Sequence, residues 1–316
     1  MARSTRLLAV MMAVGGCSPA IPPPDAGSPD ACVSCPGLPR FVGSWGGRGT
    51  EPGQFIEPSS VELDPDGTVI VAGHEDRFQR FTPDGQLIDV IGAPGSGDGQ
   101  FNHPHGLAVD VARGLLYVGD QENRRLQVFE LDGGFVRQWG DAQFQHIHDI
   151  GIERETGEIF AGDYALHTLR KFSASGALLA TYGGAGTQPG TFNGVWGVST
   201  DSRGNLYVAD TGNRRVQKLD RDGGFLAEWR GFGGQDFIKP TGVYVDGRDT
   251  VYVCDSLAQV VAIFHGDGGT REVWNLAQLV GRRTEPEDLV IDAAGRHVYI
   301  AETFDHTVLH LEVSAP

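Results

Sequence analysis

The chain has 316 residues, a formal net charge of −16, 46 glycines and 40% apolar residues. That apolar content suffices for a core, and the length suits one large all-β domain or two ordinary ones. A surface this acidic repels phosphate backbones, which argues against nucleic acid as a partner. No long stretch carries the 3.6-residue period of a helix. Short alternating segments separated by Gly, Pro, Asp and Asn predict an all-β architecture instead.

The first 17 residues stand apart. Arg3 and Arg6 form a basic start, and the apolar run 7–14 is too short to span a bilayer, so the segment reads as a secretion signal. It ends in VGGC at Cys17 and resembles a bacterial lipobox, which implies cleavage before Cys17 and its lipidation. Ser18 after the cysteine resembles an outer-membrane sorting signal. The resulting expectation is a bacterial cell-envelope lipoprotein, held to the membrane only through its anchor and either periplasmic or surface-exposed. An ordinary secreted protein with a coincidental cysteine is the alternative. Loss of Arg3 and Arg6 would leave 23 basic against 41 acidic residues.

Residues 18–39 are rich in Pro, Ser, Asp and Gly and read as a flexible tether. Cys32 and Cys35 form a lone C-x-x-C in it. With no second ligand pair nearby, a local disulfide is expected there rather than zinc. Cys254 lies in the apolar strand TVYVCD and is expected to be a buried free thiol.

From residue 40 onward the chain repeats. Six units read PSSVELD (Pro58), PHGLAVD (Pro104), IHDIGIE (Ile147), VWGVSTD (Val195), PTGVYVD (Pro240) and PEDLVID (Pro286), spaced by 43–48 residues. Each is followed by a turn and a second strand such as LYVAD, then by a third, by a DG turn and by a fourth. Four short antiparallel strands per unit describe a propeller blade. The sixth unit stops after three strands. RFVGSWG, residues 40–46, matches the fourth strand of other blades, so the expected fold over 40–316 is a six-bladed β-propeller closed by its N-terminal strand. Closure removes open sheet edges that invite aggregation. The stretches HPHGLAVD…LYVGDQENRRLQVF and GVWGVSTD…LYVADTGNRRVQKL resemble the NHL repeat, as do the lead-ins GGRGTEPGQF, GAPGSGDGQF and GGAGTQPGTF.

In such a fold the residues just before each inner strand ring the mouth of the central channel. They are Glu57/Ser59, His103/His105, His146/His148, Gly194/Trp196, Lys239/Thr241 and Glu285/Glu287. Positions two apart on an extended segment face the same way, so each His-x-His would present both rings. Imidazoles with a carboxylate suit zinc or another borderline divalent metal; calcium is the further cation expected. His105, His148 and Glu287 occupy the slot directly before the inner strand and are the first candidates for ligands. His103, His146 and Glu285 stand behind them. The alternative is surface histidines packed beside Pro104 and Ile147. The other histidines, His74 among them, are given no role.

A second set recurs at the end of strand two: Asp120, Asp163, Asp210, Asp255 and Glu302, with Gly73 as the exception. Four residues on stand Arg77, Arg124, His167, Arg214, Gln259 and His306. Turn capping and ion pairing between blades account for these. Arg124 and Arg214 could also draw a carboxylate ligand to the rim.

Two functions follow. One is binding of a protein, peptide or glycan on the propeller face, with Trp196, Arg124, Arg214 and Glu57 as rim contacts and Trp196 exposed. The other comes from a resemblance: PHGLAVD at His105 and HDIGIE…GDYALHTLRKF at His148 are similar to the lyase half of peptidylglycine α-amidating enzymes. That half holds zinc with three histidines and releases glyoxylate from peptidyl-α-hydroxyglycine. The resemblance implies His105 and His148 as zinc ligands, with Tyr164 and Arg124 nearest the catalytic roles. This chain departs from it in placing its histidines on adjacent blades, with Glu287 in the third position.

Overall fold

The computed structural model describes residues 39–140 and 144–314. The signal, all but the last residue of the tether, and with them Cys17, Cys32 and Cys35, lie outside the described residues.

Six four-stranded antiparallel sheets follow one another in chain order. From inner to outer strand, blade one runs Ser60–Leu63, Val69–Gly73, Arg77–Phe81 and Leu87–Ile91; blade two Pro104–Asp110, Leu115–Asp120, Arg125–Glu130 and Phe135–Gly140. Blade three runs Ile147–Ile152, Ile159–Asp163, Thr168–Phe172 and Leu178–Gly183; blade four Val195–Thr200, Leu206–Asp210, Arg215–Leu219 and Phe225–Trp229. Blade five runs Pro240–Val245, Val251–Asp255, Val260–Phe264 and Thr270–Asn275. Blade six has Pro286–Ile291, His297–Glu302 and Thr307–Glu312, completed by Arg40–Gly46. Each inner strand contacts the inner strand of the blade on either side, and the contacts close from six back to one. This is the six-bladed propeller expected from the repeat, with the ring closed by the N-terminal strand.

The repeat consensus is explained by burial. Strand two of each blade is buried throughout or nearly so, with Val69–Gly73, Ile159–Asp163 and Leu206–Asp210 covered on both faces, hence its continuous apolar run. The lead-in phenylalanines Phe55, Phe101 and Phe192 are fully buried between blades, each removing an apolar side chain from water for about 1.5–3 kcal/mol. Gly46, Gly92 and Gly183 make room: a Cβ on any of them would stand 2.4–2.6 Å from the phenylalanine ring. The buried glutamine of the third strand ties the lead-in down. Gln79, Gln127 and Gln217 accept from the amides of Gly53, Gly99 and Gly190 and donate to the carbonyls of Gln54, Gln100 and Thr191. Cys254 is a buried free thiol, as expected.

Candidate functional site

The residues that ring the channel mouth do so because the inner strands begin irregularly. In blades two to six the register with strand two slips just after the first pair, between Pro104 and Leu107, Ile147 and Asp149, Val195 and Val198, Pro240 and Val243, and Pro286 and Asp288. His105, His148, Trp196, Thr241 and Glu287 all sit in these slips. Such bulges bend a strand and re-aim the side chain within them. In blades two, three, four and six they turn His105, His148, Trp196 and Glu287 toward the channel mouth.

The Asp of strand two anchors the approach. Asp120 accepts from the Asn102 amide, Asp210 from Asn193, and Glu302 from Glu285. In blade one, where Gly73 stands instead, Glu75 reaches in and accepts from Ile56. The recurring residue four positions on is left-handed: Arg124, His167, Arg214, Gln259 and His306 all have φ between 52° and 62°. In blade one that place belongs to Asp76 (φ 58°) rather than Arg77, because its turn is one residue shorter. These side chains reach across to the next blade. Asp76 accepts from the His103 amide, His167 Nδ1 from Gly194, Gln259 from Thr284, and His306 Nδ1 from Glu57. Arg124 and Arg214 carry no acceptor. In the blades that follow them Asp163 takes both Gln145 and His146, and Asp255 both Ile238 and Lys239. The expected capping is therefore present, and it spans blades.

The mouth is a cavity of about 410 Å³ lined by Glu57, Ser59, His74, His103, His105, Gln121, Glu122, His146, His148, Trp196, Lys239, Glu285, Glu287 and Thr303. Every rim candidate of the repeat alignment except Gly194 and Thr241 is among them. Arg124 and Arg214 are not; both are exposed on the hairpins outside the cavity. His74, which nothing in the repeat pattern singles out, packs against His103 with ring centroids 3.6 Å apart and the rings tilted. The His-x-His segment is not uniformly extended, since His103 has φ 64°. His103 therefore turns toward His74, while His105 packs on His148 at 4.2 Å. The aromatic series continues through Trp196, 4.3 Å from His148, and Tyr164, 5.0 Å from His148. Trp196 was expected to be exposed; instead it is half-buried and donates its indole N–H to Glu287. Lys239 Nζ lies over the same ring, 4.3 Å from its centre.

Burial dictates the protonation of this group. It pulls His74 down to about 4 and His148 to about 3, takes His105 well below the usual imidazole range, and lowers His103. These rings are neutral at pH 7. Burial also raises Glu287 to about 7, against the opposing pull of Lys239 and the indole hydrogen bond. His105 Nδ1 bonds the His148 carbonyl at 2.8 Å, leaving Nε2 as the free ring nitrogen. His148 Nδ1 is buried without a partner. Neutral imidazoles with one nitrogen pinned to a carbonyl are the form that metals take. Yet among the described residues no three His, Cys, Asp or Glu side chains are arranged to hold a metal ion, and Glu287 is engaged by Trp196. The donors suit a borderline cation but do not form a complete site, so no step is assigned to a metal.

A larger cavity of about 920 Å³ lies at the other end of the inner strands, lined by apolar residues and by charged ones that include Glu62, Asp149, Arg154 and Asp288. It contains none of the residues expected to be functional.

Comparison with known proteins agrees with the blades. The NHL repeat family matches residues 101–129 and 192–219, that is, the lead-in and first three strands of blades two and four. The propeller carries NHL repeats in these two blades. NHL repeat-containing protein 3 of Mus musculus is 33% identical over 103 residues, covering 31% of this chain and 29% of that protein. Peptidyl-glycine alpha-amidating monooxygenase A of Xenopus laevis is 38% identical over 104 residues, 29% of this chain and 11% of that protein. The NHL-repeat propeller thus spans less than a third of the length of these curated relatives. In structure it is similar to a catalytically inactive variant of virginiamycin B lyase from Staphylococcus aureus with quinupristin. There the TM-score is 0.61 at 13% identity, over 84% of this chain and 83% of the other. At that identity the likeness concerns the fold alone.

Proposed function

We propose that the mouth cavity is the functional site of this NHL-repeat propeller and that it receives a protein, peptide or glycan ligand. The observation that carries this reading is the convergence of side chains from all six blades on one cavity, with His105, His148, Trp196 and Glu287 aimed by strand bulges. His148 and Trp196 offer aromatic surface against which a flat or apolar group can pack. Beside them stand Lys239, an anion partner whose ammonium lies over the Trp196 ring, and Glu287, which accepts from the indole. With Lys239 as the one lining cation, a ligand carrying a carboxylate beside an apolar group suits the cavity better than a polyanion. Glycan and peptide arrays, or pull-down from envelope extract, followed by binding to His148→Ala and Lys239→Ala variants, test it. Binding that survives both substitutions would move the site elsewhere.

A second reading is a zinc-dependent lyase like that of the amidating enzymes. It is favoured by the free Nε2 of His105 and by the amidating relatives. It requires a third ligand, and Glu287 would have to exchange the indole for metal. Metal analysis of purified protein, with and without His105→Ala and His148→Ala, decides whether zinc, copper or calcium is held. Absence of stoichiometric metal would sink this reading. Glyoxylate release from a hydroxyglycine peptide tests the reaction itself.

The lipid anchor at Cys17 and an outer-membrane envelope location belong to the same proposal. Cys17→Ala should move the protein from the membrane fraction to the soluble fraction, and labelled fatty acid should be incorporated only into the parent chain.

A further inference from the structure

The seam where the ring closes carries a feature that the mouth cavity does not use. His310 lies on the last strand of blade six, directly opposite Gly43 of the closing strand on one side and Tyr299 on the other. Its ring stacks on Tyr299 at 4.7 Å, and its Nε2 is 3.0 Å from Nδ1 of His297. Tyr299 is itself the hub of the closure. Trp45 of the closing strand packs against its ring at 5.9 Å, and its hydroxyl donates to the Pro83 carbonyl of blade one. The two imidazoles therefore stand behind the strand pair that completes the propeller.

We propose that His297 and His310 form an acid-released latch on the closing strand, residues 40–46. When both rings are neutral, one donates to the other and His310 stacks on Tyr299. One added proton can still be shared along the N···N axis. A second places two cations 3.0 Å apart behind the seam, and neither ring can then accept from the other. The rings must part, and a move of His310 strips its ring from Tyr299, against which Trp45 packs edge-on.

The charges around the pair do not cancel this. Facing His310 are His297 on the neighbouring strand, Glu312 on its own strand, Arg40 on the closing strand and Asp84 in the turn of blade one. Glu312 is already bonded to Arg40, which limits its use as a counter-ion. The Tyr299 face, on which His310 stacks, itself favours a cation. Burial first, and then His297, outweigh these attractions and lower the His310 pKa. The folded seam thus binds fewer protons than the open one below about pH 6.5, the ordinary imidazole value, and loses stability as the pH falls.

The test is amide hydrogen exchange on the full chain at pH 7.5 and pH 5, corrected for intrinsic rates. Residues 40–46 are compared with the outer strand of blade three, Leu178–Gly183, as an internal reference. The latch predicts that protection of 40–46 falls about tenfold or more relative to the reference at pH 5. His310→Phe, which keeps a ring on Tyr299 but takes no proton, should abolish the difference. His297→Gln, which removes the second charge, should shrink it and serves if His310→Phe does not fold. An equal fall in the variants, or no fall in the parent chain, overturns the proposal.

Discussion

His105 Nδ1 lies 2.8 Å from the carbonyl oxygen of His148, the residue that fills the same bulge one blade on. The bond makes each histidine part of the wall that positions the other. The same relay recurs where Ser59 donates to the His105 carbonyl and Thr241 to the Pro286 carbonyl. In blades one, two and five a side chain of this slot thus holds the next blade's backbone, and a substitution there acts on two blades.

His105→Ala removes an interblade bond and leaves a buried carbonyl without its partner. An unsatisfied buried group costs about 1–3 kcal/mol. The urea midpoint should fall accordingly, with His105→Asn recovering part of the loss. An unchanged midpoint for His105→Ala would show that the bond adds nothing to the wall.

Gly106 is the spacer beside that bond. A Cβ there would stand 2.6 Å from the Asp149 Cα and 2.9 Å from the His148 oxygen, both backbone atoms of blade three. Gly106→Ala must push the two blades apart, at a cost of about 1–3 kcal/mol typical of overpacking. Ligand affinity at the mouth should fall with it. A stable variant with parental affinity would mean that the wall yields freely.

The paired arginines of the NRR motif should behave oppositely. Arg215 is fully buried and holds Asp210, Glu228 and the carbonyls of Thr187, Gln188 and Thr191. Breaking such a pair from one side costs about 3–5 kcal/mol. Arg214→Ala, at an exposed hairpin, should stay within about 0.5 kcal/mol. Chemical denaturation of the two variants separates them, and similar midpoints would refute the assignment.

Glu287 should leave a signature in the pH dependence of stability. Its pKa is raised from 4.5 to about 7 by burial, so the folded state binds more proton than the unfolded one across that interval. Its contribution then declines as pH rises through the window, by about 1.4 kcal/mol per unit at most. Glu287→Gln should therefore gain stability relative to the parent chain between pH 5 and 7. A constant difference across that range would place the carboxylate in water or on a counter-ion.

The propeller, its six blades and its closing strand are legible in the sequence because each blade repeats the same buried positions. The His105/His148 slot is legible for the same reason. What escapes the sequence depends on departures from the repeat. His74 reaches the cavity because blade one lacks the strand-two Asp and has a shorter turn, which sets Glu75 and Asp76 in its place. His103 turns aside through a left-handed φ that no spacing rule announces. Trp196 is drawn inward by a carboxylate two blades away, and pairs that distant in sequence carry no local signal. In NRR, the repeat position alone does not tell the exposed Arg214 from the buried Arg215.

The bond between Arg40 and Glu312 joins residues 272 positions apart, and with it the whole closing strand makes the longest-range strand pairing among the described residues. Such contacts form late, since chain must be gathered before they are made. The last strand of blade six, Thr307–Glu312, therefore waits with an unpaired edge until residues 40–46 arrive, and an open edge of this kind is a template for pairing between molecules. Assembly of the protein is thus a race between its own first strand and a neighbour's. Whatever delays the arrival of residues 40–46, a bulky fusion in front of them or a weakened seam, should appear first as aggregation during refolding, before any loss at the mouth.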